Sequence, residues 1–192
     1  ICRGMWAVMK VLFSADHHII LNTKNIPNEW AINRFNMIFD ELHKLEKEVD
    51  MHILGGDFFD KLPNMQELEL YFKFIAGCNI PTYIIPGNHE ALKKDTTFLT
   101  HLKDVTSRIN SNVTIVDDFM TLANPHDLSS LIDFIPYNKL KTYQSTDVDT
   151  HAPVLITHVR GDIPPHVKAE VPLEIFKRWK VVLAGDLHSY DN

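Results

Sequence analysis

Five short apolar segments of the chain end in side chains of the kinds that can bind metal ions or transfer protons. An apolar run that stops at a glycine or a polar residue is typical of a buried strand in a parallel sheet. The carboxyl ends of neighbouring strands share one crevice in an open α/β sheet, so we expect these side chains to meet in space. The polar ends of the five segments are Asp16-His17-His18, Asp57 with Asp60, Gly87-Asn88-His89-Glu90, His158, and Gly185-Asp186-Leu187-His188.

Carboxylates, imidazoles and an amide, without a thiolate, suit divalent cations such as manganese, iron or zinc. One carboxylate can bridge two such ions. Two divalent ions about 4 Å apart can hold phosphoryl oxygens, lower the pKa of a bridging water and stabilise an in-line displacement. This set of side chains therefore favours the hydrolysis of phosphate esters.

The composition indicates one globular domain. The chain has 192 residues, of which 45% are hydrophobic and 23% charged, enough for a sizeable core. The net charge of −6 provides no general attraction to nucleic acid or to an anionic membrane, and no apolar run is long enough to span a bilayer. Cys2 and Cys78 are too few for a disulfide framework, which favours a cytoplasmic location.

Three helices follow from the spacing of apolar residues and from capping signals. The first runs from a cap at Asn28 to about Asp50, with a packing face of Trp30, Phe35, Ile38, Phe39, Leu42, Leu45 and Val49. The second has a capping box at Asn64 and Glu67, stops at Gly77, and carries the apolar stripe Leu68, Tyr71, Phe72 and Ile75. The third runs from about Asp95 to Val105, with Phe98, Leu99 and Leu102 facing inward.

From Val113 onward, short β segments predict a second sheet packed on the first. They are Val113–Val116, Phe119–Leu122 and Leu131–Ile135, with a turn at Asn124–Asp127. Short helices are expected at Lys139–Gln144 and from Pro172 to about Arg178.

The series Asp16-x-His18, Gly56-Asp57-x-x-Asp60, Gly87-Asn88-His89-Glu90, His158 and Gly185-x-x-His188 resembles the calcineurin-like metallophosphoesterases. Within that superfamily, Gly-Asp-Phe-Phe-Asp and the helix after it most resemble the SbcD-type nuclease subunit of DNA repair, including its phage counterparts. The resemblance implies an α/β, four-layer fold with two packed mixed β-sheets flanked by helices in βαβαβ units. We expect residues 9–192 to form this domain, incomplete at its C-terminus, and residues 1–8 to be a leader or expression-derived sequence.

The resemblance also implies a role for each site residue. Asp16, His18 and His188 would hold one ion, Asn88 and His158 the other, and Asp57 would bridge them. His89 would stabilise the transition state or protonate the leaving oxygen. Asp60 would orient a ligand or His89, or would only cap the adjacent loop. Manganese is the metal that the nuclease branch favours, with iron, zinc or magnesium as alternatives.

One residue departs from the family pattern. The last motif of the family usually reads Gly-His-x-His, and Asp186 replaces the first of those histidines here. Asp186 would either be a carboxylate ligand of the second ion, favouring the harder Mn²⁺ or Mg²⁺, or lie behind the ligands and leave that ion loosely held.

Three functions remain open. The first is a dimetal DNA exo- or endonuclease, working with an SbcC-type coiled-coil ATPase and forming a homodimer through the helix after Asp57. The second is a phosphatase or small-molecule phosphodiesterase, which the acidic balance favours, and the third is a non-catalytic interaction domain. No membrane contact is expected, and the location would be the cytoplasm, or the host cytoplasm if a phage encodes the chain. The other histidines are predicted to be surface or packing residues, with His166 nearest to substrate: His17, His43, His52, His101, His126, His151 and His166.

Overall fold

The computed structural model describes residues 9–92, 96–123, 129–148, 151–162, 165 and 167–186. Several predictions fall outside these residues: the leader 1–8, the helix start at Asp95, the turn at Asn124–Asp127, and the roles of His166 and His188. The described elements form two four-stranded sheets with helices in their connections.

The first sheet contains the strands that precede the first three polar motifs. Its strands, in spatial order, are β1 (Val11–Ser14), β2 (Met51–Leu54), β3 (Thr82–Ile84) and β4 (Val113–Ile115), all parallel. They are connected by α1 (Asn28–Leu45), α2 (Met65–Gly77) and α3 (Phe98–Ile109). Two neighbouring parallel strands must be joined by a crossover connection, and these helices provide it. β4 was predicted in the second sheet; that prediction is wrong, because α3 returns the chain beside β3.

The second sheet is mixed and packs against the first. Its strands are β5 (Met120–Ala123), β6 (Ser130–Ile135), β7 (Val154–His158) and β8 (Val181–Gly185), with only the β5–β6 pair antiparallel. Ile53 of β2 and Ile85 belong to the same buried cluster as Phe134 of β6 and Ile156 of β7. The predicted fold class, two packed sheets flanked by helices, is confirmed.

Helix α1 packs through Phe35 and Phe39, which are buried as predicted. Trp30 and Leu45 were predicted on the same packing face, but 55% and 41% of their surfaces are exposed. The helix also ends at Leu45 and gives way to a 3-10 turn over Glu46–Glu48. At about 100° per residue, Trp30 lies about 180° around the helix from Phe39 and Leu45 about 120°, so neither belongs to the buried stripe of Ala31, Phe35 and Phe39.

Helix α2 begins with the predicted capping box. Glu67 N–H donates to the Asn64 side chain at 3.0 Å, and Asn64 N–H donates to the Glu67 carboxylate at 2.7 Å. Glu67 is itself buried, because its other oxygen accepts from Leu21 N–H at 2.7 Å. The apolar stripe of α2 that faces the core is shifted from the predicted one. Leu70, Tyr71, Phe74 and Ile75 are buried, and Leu68 and Phe72 are half-buried.

Helix α3 is capped by Thr97, whose hydroxyl accepts from Thr100 N–H at 3.2 Å. Leu99 and Leu102 are buried as predicted. The two later helices are shorter than expected: α4 covers Tyr137–Leu140, and a 3-10 turn covers Leu173–Phe176. Of the helices in the described residues, none has the length and hydrophobicity of a membrane span.

Candidate metal centre

The loops after β1, β2 and β8 have a strained backbone where they carry the predicted ligands. Asp16, His18, Asp57 and Asp186 all have positive φ, at 56°, 46°, 51° and 99°. Such values are uncommon for residues with a side chain and persist only when the surroundings enforce them. Here Asp16 N–H donates to the Gly56 carbonyl and His18 N–H to the Asp57 carbonyl, each at 3.0 Å. The two loops are thereby fastened to each other.

Asp57 lies at the centre of the site, with only 1% of its surface exposed. Its Oδ2 atom faces three imidazole Nε2 atoms, those of His158 at 3.3 Å, His18 at 3.8 Å and His89 at 3.9 Å. Its Oδ1 atom accepts from the backbone N–H of His89 at 2.9 Å. Burial by itself raises the pKa of Asp57, but the hydrogen bond and charge of His158 and the His89 N–H outweigh it and lower the pKa. Asp57 is therefore ionised.

Two glycines allow the close approach of these groups. A Cβ at Gly87 would collide with the Asp57 carboxylate, and one at Gly56 would collide with the His158 ring. Gly56 also has φ of +98°, which glycine adopts at no steric cost.

His158 is fully buried and points one nitrogen into the site. Nδ1 donates to the Gly55 carbonyl at 2.8 Å, so Nε2 faces Asp57 and Asn88. A backbone carbonyl on the far nitrogen is the usual partner of a metal-binding histidine. Burial lowers the pKa of His158, but the hydrogen bond and charge of Asp57 outweigh it and raise the pKa to about 9. A proton and a cation therefore compete for Nε2.

Asn88 faces the same point from the loop after β3. In one orientation of its amide, the oxygen lies 2.8 Å from His158 Nε2 and faces the carboxylates of Asp57 and Asp186. In the opposite orientation, the nitrogen donates to Asp57 at 3.1 Å and to Asp186 at 3.2 Å. An amide oxygen facing two carboxylates is favourable only with a cation among them. The opposite orientation satisfies the amide without an ion, so the fit to a divalent ion rests on the donor set of carboxylates, imidazole and amide oxygen that converge here.

Asp186 belongs to this cluster although it replaces the family's histidine. Its Oδ1 lies 3.9 Å from His158 Nε2, and its Oδ2 accepts from Arg160 Nε at 3.3 Å. Sequence reasoning gave Arg160 no role. The backbone N–H of Arg160 donates to the Glu170 carboxylate at 3.4 Å, and Glu170 also accepts from the Tyr137 hydroxyl at 3.0 Å. Asp186 thus has a cationic partner in Arg160, and the two residues meet because the chain folds, since they are 26 positions apart in sequence.

Two groups of possible ligand atoms share Asp57. Asp16, Asp57 and His158 offer atoms within 4.8 Å of one another, and so do His18, Asp57 and His89. This grouping differs in detail from the predicted ligand sets, which placed Asp16 with His18 and Asn88 with His158. A shared carboxylate between two groups is what a bridged pair of ions requires.

His89 lies at the exposed side of Asp57, with 35% of its side chain accessible. Nδ1 donates to the Asp60 carbonyl at 2.5 Å, so the backbone of Asp60 orients the ring. Burial lowers the pKa of His89, but this hydrogen bond and the charges of Asp57 and Asp60 outweigh it and raise the pKa. A larger fraction of the imidazole is therefore protonated near neutral pH, as proton donation requires.

Glu90 has a structural role that sequence reasoning missed. It is 2% exposed and accepts hydrogen bonds from the backbone N–H groups of Asp57, Phe59 and Gly87, at 3.1, 2.7 and 2.8 Å. Burial, together with the charge of Asp57, raises the pKa of Glu90 to about 7. The only signal in the sequence was an acid beside the predicted His89.

The remaining histidines that the structure describes lie away from the centre or pack behind it. His52 is buried between Ser14 Oγ and the Glu46 carboxylate, at 2.8 and 2.9 Å. His43 stacks on a phenylalanine of α2, and His101 and His151 are exposed. His17 packs against Phe58, and burial beside His52 and His18 lowers the pKa of His17 to about 3.

The sequence profile of the calcineurin-like phosphoesterases matches residues 9–190. The chain therefore belongs to that family, and the predicted class of enzyme, a metal-dependent phosphoesterase, is confirmed at this level. Over 187 residues the chain is also 36% identical to a protein of Escherichia phage T5 named "Probable exonuclease subunit 1". The match covers 96% of this chain and 55% of the phage protein, so the chain spans little more than half the length of this relative.

Proposed function

We propose that residues 9–192 are the nuclease domain of a DNA exo- or endonuclease and hydrolyse phosphodiester bonds with two divalent metal ions. The observation that carries the proposal is the position of Asp57, whose carboxylate lies within 4.8 Å of ligand atoms of His18 in one group and of Asp16 and His158 in the other. The similarity to a phage exonuclease subunit supports DNA as the substrate. The proposed ligands are Asp16, His18, Asp57, Asn88, His158, Asp186 and His188, the last outside the described residues.

The bound ions would supply an activated water and neutralise charge on the phosphoryl oxygens. The chain's own residues hold the geometry and move one proton. Asp57 stays ionised as the common ligand, while Glu90 fixes the backbone of its loop. His89, oriented through Nδ1 by the Asp60 carbonyl, gives the proton on Nε2 to the leaving oxygen as the phosphorus–oxygen bond breaks. The products are a hydroxyl and a phosphate end.

Asp186 is proposed as a carboxylate ligand of the second ion rather than a residue behind the ligands. Its approach to Asn88 and His158 supports this choice, and the ion pair with Arg160 offsets the added negative charge. Three carboxylates in the site favour manganese, with magnesium, iron or zinc as alternatives.

The partners follow from resemblance. The word "subunit" in the relative's name supports a complex, for which we propose an SbcC-type coiled-coil ATPase. A homodimer through α2 and a location in the cytoplasm, or the host cytoplasm for a phage protein, remain predictions. Met65, 72% exposed in the first turn of α2, is compatible with that interface.

A phosphatase or small-molecule phosphodiesterase of the same fold is the second candidate. The net charge of −6 favours it, because a DNA-binding surface is usually basic. The possible metal ligands that converge on Asp57 argue against the third candidate function, a non-catalytic interaction domain.

Hydrolysis of end-labelled linear duplex DNA with Mn²⁺ tests the proposal, with the full chain, Asp57→Asn as the inactive control, and p-nitrophenyl phosphate as the competing substrate. We expect DNA cleavage that requires Asp57 and weakens steeply with salt, since phosphate contacts release counterions. Turnover of the monoester without DNA cleavage would establish the phosphatase instead.

A further inference from the structure

Beside the metal centre lies a cavity of about 330 Å³ that the proposed reaction does not use. Asp16 and His18, two of the proposed ligands, form part of its lining. Trp30 and Arg34, from the first two turns of α1, form another part. A group bound at the metals can therefore continue directly into this cavity. Its volume is at the lower end of the range for small-ligand sites and suits a single nucleoside.

Trp30, which was predicted to pack, exposes 55% of its surface. An exposed indole leaves a large apolar area in water, which a ligand with a flat ring would cover. The Arg34 guanidinium lies 5.9 Å from the centre of the same ring. Within the part of the chain that the structure describes, Arg34 takes part in no ion pair. Its charge is thus available to a phosphate or to the face of a base.

The loop before α1, which forms part of the cavity wall, is fixed by hydrogen bonds. Asn22 and Asn25, in the loop before α1, have φ of 58° and 68°. Asn22 N–H donates to the Asn28 side chain at 2.6 Å, and the Asn28 amide donates back to the Asn22 side chain. This paired contact fixes the loop against the start of α1, the helix whose backbone carries Trp30.

We infer that Trp30 and Arg34 form a stacking site for the nucleobase next to the scissile phosphate, so that the strand is held by one base as well as by its phosphates. The inference rests on the proposed nuclease function and deepens it. Aromatic stacking suits every base, so the site holds a strand without reading its sequence. Stacking of one base would add to the phosphate contacts of a protein whose net charge is −6. A protein partner on Trp30 is the competing possibility, but the shared cavity wall with Asp16 and His18 favours the substrate.

The test compares two substrates that carry the same phosphates. One is a fluorescently labelled oligothymidylate, and the other is its counterpart with abasic sugars. Binding is followed by fluorescence anisotropy in EDTA, and cleavage is followed with Mn²⁺. The proteins are the full chain, Trp30→Ala, Trp30→Phe and Met37→Ala; Met37 is a control on α1 that is 72% exposed and does not line the cavity.

We expect the unchanged protein and Met37→Ala to bind the base-bearing strand about 5- to 150-fold more tightly than the abasic strand. Trp30→Ala should lose most of this preference, and Trp30→Phe should keep part of it. Equal binding of the two strands by the unchanged protein, or a preference that survives in Trp30→Ala, would overturn the stacking site; DNA cleavage in the same experiment would leave the nuclease function standing. Hydrolysis of p-nitrophenyl phosphate, assayed in parallel, without cleavage or binding of either strand would overturn both.

Discussion

The backbone N–H of Asp186 donates hydrogen bonds to both carboxylate oxygens of Asp16, at 3.0 and 3.2 Å. These residues are 170 positions apart, so the bonds join the loop after β1 to the loop after β8 and thus the two sheets at the site. Because the donor is a backbone group, the contact does not depend on the side chain at position 186. The side chain can therefore be exchanged while its backbone stays in place.

Asp186→His tests whether this carboxylate is a ligand. The substitution restores the family's histidine, so we expect the ratio of Zn²⁺ to Mn²⁺ affinity to rise by about tenfold, since imidazole suits zinc and carboxylate suits manganese. Calorimetric titration with each metal measures the ratio. Asp118→His, at an exposed position, is the control and should leave it unchanged. An unchanged ratio in Asp186→His would place Asp186 behind the ligands.

His89→Ala separates proton transfer from metal binding. Because His89 contributes a proton rather than an essential ligand, we expect kcat for DNA cleavage to fall by about 10²- to 10⁴-fold while the manganese content stays the same. Metal analysis beside steady-state kinetics provides both values, and His101→Ala on the exposed side of α3 should match the unchanged protein. Loss of manganese in His89→Ala would reassign His89 as a ligand.

Glu90→Gln measures how strongly one buried carboxylate holds the loops of the site. The amide can no longer accept from all three backbone donors, so we expect a loss of about 1.5–3 kcal/mol in the free energy of unfolding. Urea denaturation in EDTA isolates this effect from metal binding. As a control, Glu41 is exposed and forms a surface ion pair with Lys44, so Glu41→Gln should change stability by less than about 0.5 kcal/mol. If Glu90→Gln were as stable as Glu41→Gln, the hydrogen bonds of Glu90 would contribute nothing to the free energy of unfolding.

The strand ends could be predicted from the sequence because their signal is local. An apolar run ending in Gly-Gly-Asp or Gly-Asn-His indicates both the strand and the edge at which its polar residues lie. The capping box at Asn64 and Glu67 is equally local and is confirmed by its hydrogen bonds.

Features that depend on distant contacts could not be predicted in this way. The three donors to Glu90 come from two loops that meet only in the folded chain, as do Arg160 and Asp186. The sheet that β4 joins is decided by where α3 returns. The exposure of Trp30 is different, because it follows from helical spacing: at about 100° per residue, Trp30 lies about 140° from Phe35 around α1.

The central claim, that Asp57 bridges two ions, is tested most directly by titrating the metal-free protein with Mn²⁺ and counting the ions bound per chain. The account predicts about two for the unchanged protein. Asp57→Asn should bind fewer, because both groups of ligand atoms lose the carboxylate they share. A single ion in the unchanged protein, or two ions held as tightly by Asp57→Asn, would contradict the bridged centre.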